Sequence, residues 1–331
     1  MESVERLRAL RLAVREAVPD RPGVYTWLGQ GGEKLYIGKS RALKTRMLSY
    51  LHPGNLRPDA RLRHLAQAIT AFEWKETQGE LLALLLEDAL IKKLNPRHNE
   101  RQKDYRERAY VLLTDDLFPA LLVAGGESRR AGTLYGPFKD EYFARELVQL
   151  LTDALALRAC TDAEPWRRSA RYDLGQCPGP CRGAITAEDY ALRVRAARAF
   201  FDGDAGPLRR RLEAKMADAS DHLRFEEAAA LRDALEFAGR FAERQRFFRE
   251  FESAWFSVQE ERAGVVYTFT HGSLSRLQRC GEPVAPPPEL RERVEDRRFL
   301  LDRANVVYAW LGRTKGEAAL SVPDAVRFRM A

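Results

Sequence analysis

The residues of this chain whose types and spacing suit chemistry are three tyrosines, a lysine, an arginine, a carboxylate and an amide. Tyr25 follows Gly23-Val24, and Tyr36 precedes Ile37-Gly38, with Lys39 next. Each phenol stands close to a glycine, and glycine lets a backbone or a ligand approach. Taken alone, this stretch reads as two core tyrosines in an ordinary hairpin. The residues downstream change that balance. Arg46 and Tyr50 lie four apart and so share a helix face. Glu87 stands in a run, 79–94, that is apolar nearly all round. An unpaired carboxylate buried there is costly, so it calls for a cation. Asn99 follows Asn95-Pro96 where that run ends. A guanidinium can clamp a phosphate through two parallel hydrogen bonds. A phenol can take a proton near neutrality only with positive charge beside it. Lys39 and Arg46 offer that charge, and which tyrosine acts is left open.

These side chains need elements to position them. Two β-branched and aromatic runs flank Gly29-Gln30-Gly31-Gly32, a hairpin signal with a longer loop. Leu43, Met47 and Leu51 recur on one helix face. A leading helix is expected over 1–20, ending near Pro19 and packing through Val4, Leu7, Leu10 and Val14. A helix over 61–69 and a third strand over 71–77 complete a small antiparallel sheet carrying helices, an α+β pattern. Residues 110–122 read as strand interrupted by Pro119, 134–138 (Leu-Tyr-Gly-Pro-Phe) as a sharp turn, and 143–157 as a helix. Residues 187–248 are helical with a break at 203–207. Strand-like runs fill 253–278, then a linker over 283–288 and a charged amphipathic helix over 289–311. The fold class expected is α+β: a three-stranded antiparallel sheet with helices, then mostly helical segments, then a small mixed C-terminal region.

The ordered set Tyr25, Tyr36, Gly38, Lys39, Arg46, Tyr50, Glu87 and Asn99 resembles the GIY-YIG nuclease domain of the excision-repair subunit UvrC and its shorter relative Cho. The resemblance implies a domain plan: nuclease domain 1–108, connecting region 109–186, helical region 187–249 and a C-terminal region 250–331 of unknown role. It implies that Glu87 anchors a Mg²⁺ or Mn²⁺ ion and that Arg46 holds the scissile phosphate. Tyr36 would activate water, with Tyr25 and Lys39 tuning it and Tyr50 and Asn99 positioning. Asp88 is expected to face elsewhere, Glu80 to be an accessory, and Lys44, Lys92 and Lys93 to meet DNA backbone or solvent. Cys160, Cys177 and Cys181 match three of four family positions that can hold an iron–sulfur cluster, or zinc; Ser169 stands at the other. That leaves the cluster doubtful, against a small loop packed by Trp166 and Tyr172.

The string Phe225-Glu226-Glu227-Ala228-Ala229-Ala230-Leu231-Arg232-Asp233 looks like the UVR motif, a helical hairpin over 212–237 that docks on UvrB. Leu212, Met216, Leu223, Phe225, Ala228, Ala229 and Leu231 would form its seam. The implied activity is a single incision in DNA, 3′ of a lesion, with UvrA taking part indirectly. A non-catalytic UvrB-binding module, and a stand-alone nuclease of another role, are the alternatives.

Composition sets broader bounds. The chain has 331 residues, four cysteines and a formal net charge of +7. That length suggests two or three domains, and the charge a polyanionic partner. Basic residues cluster at 41–46, 57–63, 101–108 and 167–171. No apolar run reaches membrane-spanning length, no signal peptide is legible, and the cysteines do not form a secreted disulfide framework. The expectation is a cytoplasmic protein that binds damaged duplex DNA and no membrane.

Overall fold

The computed structural model describes residues 2–52, 60–99, 109–125, 128–138, 140–160, 172–175, 177–253, 255–282, 297–314 and 318–321. Ser169, Trp166, the basic clusters at 101–108 and 167–171, part of the cluster at 57–63 and the linker at 283–288 lie outside them. The chain forms two compact units, one of residues 1–105 with 250–331 and one of residues 106–249.

In the first unit, α1 (Glu2–Ala17) leads into β1 (Gly23–Leu28), β2 (Lys34–Ser40) and α2 (Leu43–Tyr50). Then come α3 (Ala60–Ala68), β3 (Ala71–Glu76) and α4 (Glu80–Leu94). The strands form an antiparallel sheet in the order β2-β1-β3. Strand β1 is central and buried throughout, because side chains alternate between faces and both faces are covered. Tyr25 and Trp27 pack with Leu10, Val14, Leu43 and Met47 on one face. Val24 and Ile37 meet Ala83 and Ile91 of α4 on the other. Gly38 pairs with Tyr25 across the sheet. A Cβ there would come within 2.4 Å of the Tyr25 hydroxyl, so the glycine is required by close packing.

The same unit holds a second antiparallel sheet of β7 (Trp255–Glu260), β8 (Val265–Thr270), β9 (Ser273–Arg279) and β10 (Ala318–Ser321), in the order β10-β7-β8-β9. Helix α9 (Arg297–Arg313) belongs with it and buries Ala304, Val307 and Trp310.

The second unit contains β4 (Ala109–Thr114), β5 (Leu121–Gly125) and β6 (Gly132–Phe138), ordered β5-β4-β6, with α5 (Glu141–Leu155) against them. The expected sharp turn at 134–138 is instead part of β6. The Gly136–Pro137 peptide is cis, and Gly136 at φ 131 takes a conformation few side chains allow. The run stays in the ladder, with a register shift opposite Ala109 and Val111. The strand expected over 110–122 is two strands, turned back on each other around Pro119. Helices α6 (Ala187–Phe201), α7 (Gly206–Asp221) and α8 (Phe225–Ser253) follow. Their core stacks Phe200 on Phe241 at 4.8 Å and sets Phe143 and Phe237 beside them.

Candidate active site

Strand β2 is an edge of its sheet, so alternate backbone groups along it face away from β1 and need partners. Leu35 O accepts from His98 N at 2.9 Å. Two residues on, Ile37 N donates to Asn99 Oδ1 at 2.9 Å, and Asn99 Nδ2 donates to Ile37 O at 2.7 Å. Two residues further, Lys39 N donates to Glu87 Oε1 at 3.0 Å. Asn99 is therefore a side-chain substitute for a neighbouring strand. Glu87 is the next substitute along the same edge, where α4 crosses β2.

Glu87 has no cationic side chain in contact among the described residues. Burial pushes its carboxyl up to about 7; the Lys39 amide and the Lys39 and Arg46 charges oppose this, and Asp88 adds to it. Asp88 does face elsewhere, donated to by Lys92 Nζ at 2.6 Å. Lys92 also lies 3.2 Å from Asp302, and its side chain is 8% exposed. The expectation that Lys92 meets DNA or solvent is thus corrected, since two carboxylates hold it inside. Glu80 accepts from Lys39 Nζ at 3.0 Å and pairs with Arg41. Burial would raise the Glu80 carboxyl, but those hydrogen bonds prevail and hold it below the usual value. Lys39 Nζ is therefore engaged by Glu80.

The tyrosines form one cluster. Ring centroids of Tyr25, Tyr36 and Tyr50 lie 5.6–6.2 Å apart. Tyr50 donates from its hydroxyl to Tyr36 Oη at 3.2 Å. Arg46 Nη2 donates to Tyr50 Oη at 3.4 Å, and its guanidinium carbon lies 5.1 Å from the Tyr50 ring centroid, a cation–π contact. Burial raises the Tyr36 phenol well above its ordinary value, Tyr50 and Glu87 raise it further, and Arg46 pulls it back in part. Tyr25 is raised too, by burial first and then by Tyr50 and Tyr36. Tyr25 is 1% exposed, so it does not occupy an open spot on the sheet; it backs the cluster.

Residues 21–100 match the UvrC-like GIY-YIG domain, 108–200 the UvrC/Cho excinuclease middle domain and 208–238 the UvrB/UvrC motif. Over these residues the chain belongs to the UvrC/Cho family. Among curated relatives, UvrABC system protein C of Desulfitobacterium hafniense is 36% identical over 228 residues, covering 69% of this chain and 37% of the relative. That of Carboxydothermus hydrogenoformans is 32% identical over 265 residues, covering 78% and 43%. The chain thus spans about two fifths of the length of the UvrC proteins it matches. The GIY-YIG N-terminal endonuclease domain of Thermotoga maritima UvrC, solved with its catalytic magnesium, is 32% identical. It covers 28% of this chain and 96% of that one, with a TM-score of 0.25.

Outside the UvrC-like GIY-YIG domain, Cys160, Cys177, Cys181 and Cys280 are partly exposed free thiols. Among the described residues, no three His, Cys, Asp or Glu are placed to hold a metal ion. Cys160, Cys177 and Cys181, weighed above as ligands of a doubtful cluster, do not form such a group among those residues. Arg158, 1% exposed, donates instead to Cys160 Sγ at 3.4 Å, to Cys160 O at 2.9 Å and to Asp116 at 2.6 Å. Tyr172 packs against Gly179, and the Arg182 guanidinium lies over its ring.

The helical hairpin of the UvrB/UvrC motif is α7 and the start of α8, turned through 222–224. Leu223 and Phe225 at its tip are 72% and 67% exposed. Leu212 is not part of an open seam. It is 1% exposed and belongs to the unit's own core. The ion pairing that sequence reading missed is Glu80 with Lys39 and Arg41, whose local trace is the mixed charge of those residues.

Proposed function

We propose that this chain is a metal-dependent endonuclease of nucleotide excision repair, cutting one DNA strand on the 3′ side of a lesion. The observation that carries this reading is Glu87: a half-buried carboxylate with one backbone donor and, among the described residues, no contacting cation, beside the Tyr36–Tyr50–Arg46 cluster. A single protein carboxylate suits Mg²⁺ or Mn²⁺, which keep several waters. When bound, such an ion supplies Lewis acidity at a phosphoryl oxygen.

The chain's own residues do the rest. Arg46, held over Tyr50, presents its guanidinium to the scissile phosphate. Tyr36 accepts the Tyr50 hydrogen bond and, as a neutral hydroxyl, relays the attacking water's proton, taking it on its oxygen while its own proton passes to solvent. Lys39 and Arg41, neutralised by Glu80, keep that carboxylate from repelling DNA. The water oxygen bonds phosphorus as the P–O3′ bond breaks, and the departing 3′ oxygen takes a proton from solvent. Residues 1–108 are read as the nuclease, 109–186 as a connector and 187–249 as the helical region. The exposed tip at Leu223 and Phe225 is read as the docking point for UvrB, with UvrA involved indirectly and the cytoplasm as the compartment. Among the described residues no helix is long and apolar enough to cross a membrane.

The test is incision of an end-labelled duplex with one defined lesion, with UvrA, UvrB and Mg²⁺ present. One cut on the 3′ side is expected. Equal cutting of undamaged duplex, or none in either, overturns the reading.

A further inference from the structure

Helix α4 carries Glu87, yet its own sequence does not cap it. Its N-cap is Gly79, in extended conformation, with no side chain to accept from the first turn's amides. The acceptor comes from 180 residues away. Glu260, the last residue of β7, accepts from Glu80 N at 2.8 Å and from Leu81 N at 3.3 Å. A carboxylate at that end also meets the positive pole of the helix. Tyr267 of β8, fully buried, donates to Glu260 Oε2 at 2.7 Å and fixes its orientation. Gly79 has to be glycine here, since a Cβ would lie 2.3 Å from the Tyr267 hydroxyl.

The other end of α4 is held by the same C-terminal region. Asp302 of α9 lies 3.2 Å from Lys92 Nζ, and the Phe299 ring centroid lies 5.4 Å from it. Glu87 sits between these two anchors. Residues 208–238 are the last to match a family description, and β7, β8 and α9 lie beyond them.

We propose that the C-terminal sheet and α9 clamp the nuclease helix at both ends, and that Glu260, backed by Tyr267, is a positioning residue for the Glu87 carboxylate. The proposal rests on the reading of Glu87 as the metal anchor. Rotation or fraying of the first turn would shift Glu87 against the Lys39 amide and the tyrosine cluster. A displacement of that kind far from the chemistry lowers turnover steeply.

The experiment uses the full chain with Glu260→Ala and Tyr267→Phe, the second removing one hydroxyl. Three readouts are taken: hydrogen exchange of the α4 amides, the Mg²⁺-induced rise in melting temperature, and steady-state nicking. In Glu260→Ala, exchange at residues 80–83 should speed up by about tenfold or more, while the amides of β1 stay protected. The Mg²⁺ response should shrink, and kcat should fall about tenfold or more with KM for DNA unchanged. Tyr267→Phe should move all three in the same direction by less. Unchanged exchange in α4 together with unchanged kcat overturns the proposal. So does loosening spread evenly over β1 and α4, which would make Glu260 a general stabiliser. If Glu260→Ala fails to fold, Tyr267→Phe decides alone. If the wild type nicks no DNA, the nuclease reading fails, and exchange and the Mg²⁺ response still decide the clamp.

Discussion

At the scale of single residues, Glu87 sets stability against function. Its carboxyl sits at about 7 when folded, against an ordinary 4.5. The folded chain therefore holds that proton more tightly than the unfolded chain. The stability this contributes is whole below the ordinary value and is lost as pH rises through about 7. In the presence of a chelator, Glu87→Gln should gain on the wild type between pH 4 and pH 8, by on the order of 2–3 kcal/mol. Urea unfolding at the two pH values measures it, and a constant gap would refute the buried-charge account. Adding Mg²⁺ at pH 8 should stabilise the wild type and leave the glutamine variant unmoved. Arg46 gives a second test. Arg46→Lys keeps the charge but loses the fork that matches a phosphate, so incision should fall about tenfold to a hundredfold, the worth of one charge-assisted hydrogen bond. Full activity in the lysine variant would remove Arg46 from the phosphate.

At the scale of elements, the site depends on how closely β1 and β2 approach. Gly38 is the position where the Tyr25 hydroxyl occupies the space of a side chain. Gly38→Ala should cost about 1–3 kcal/mol, the usual penalty of overpacking a filled site. Tyr25→Phe in the same chain should recover part of that cost, because the hydroxyl is the nearest clashing atom but not the only one. A double-mutant cycle by chemical denaturation reads the coupling, and simple additivity would show that the two residues do not share this space. The β2 edge explains why residues from two different elements converge. Asn99 and Glu87 both satisfy outward backbone groups of one strand, two residues apart.

At the scale of the whole molecule, the proposed docking tip and the proposed nuclease site fall on different compact units. Phe225 is 67% exposed at the hairpin tip and supports little of the fold. Phe225→Ala should weaken UvrB binding by about 2 kcal/mol, as loss of an aromatic anchor does. Thermal stability and any partner-free nicking should stay as in the wild type. Titration calorimetry against UvrB with a parallel nicking assay checks both. Unchanged UvrB affinity would move docking to another surface, and equal losses in both assays would mean that Phe225 supports the fold.

Sequence alone determined the features that leave a local or periodic mark. The order of Tyr25, Tyr36, Lys39, Arg46, Glu87 and Asn99, the β-branched and aromatic runs of the hairpin and the helical hairpin at 212–237 are all of this kind. The runs and helices show through the two-residue and 3.6-residue repeats of strand and helix, and the ordered set through its resemblance to the family. Tertiary structure decided the rest. It turned Lys39 toward Glu80, drew Lys92 inside against Asp88 and Asp302, and kept 134–138 in a strand. It placed Leu212 in a closed core and brought Glu260 onto the first turn of α4. Each is a contact between a side chain and a group distant in the chain, or a backbone path set by its neighbours. Such contacts form only once the chain has folded back on itself, and they impose no repeat that reading along the residues could detect.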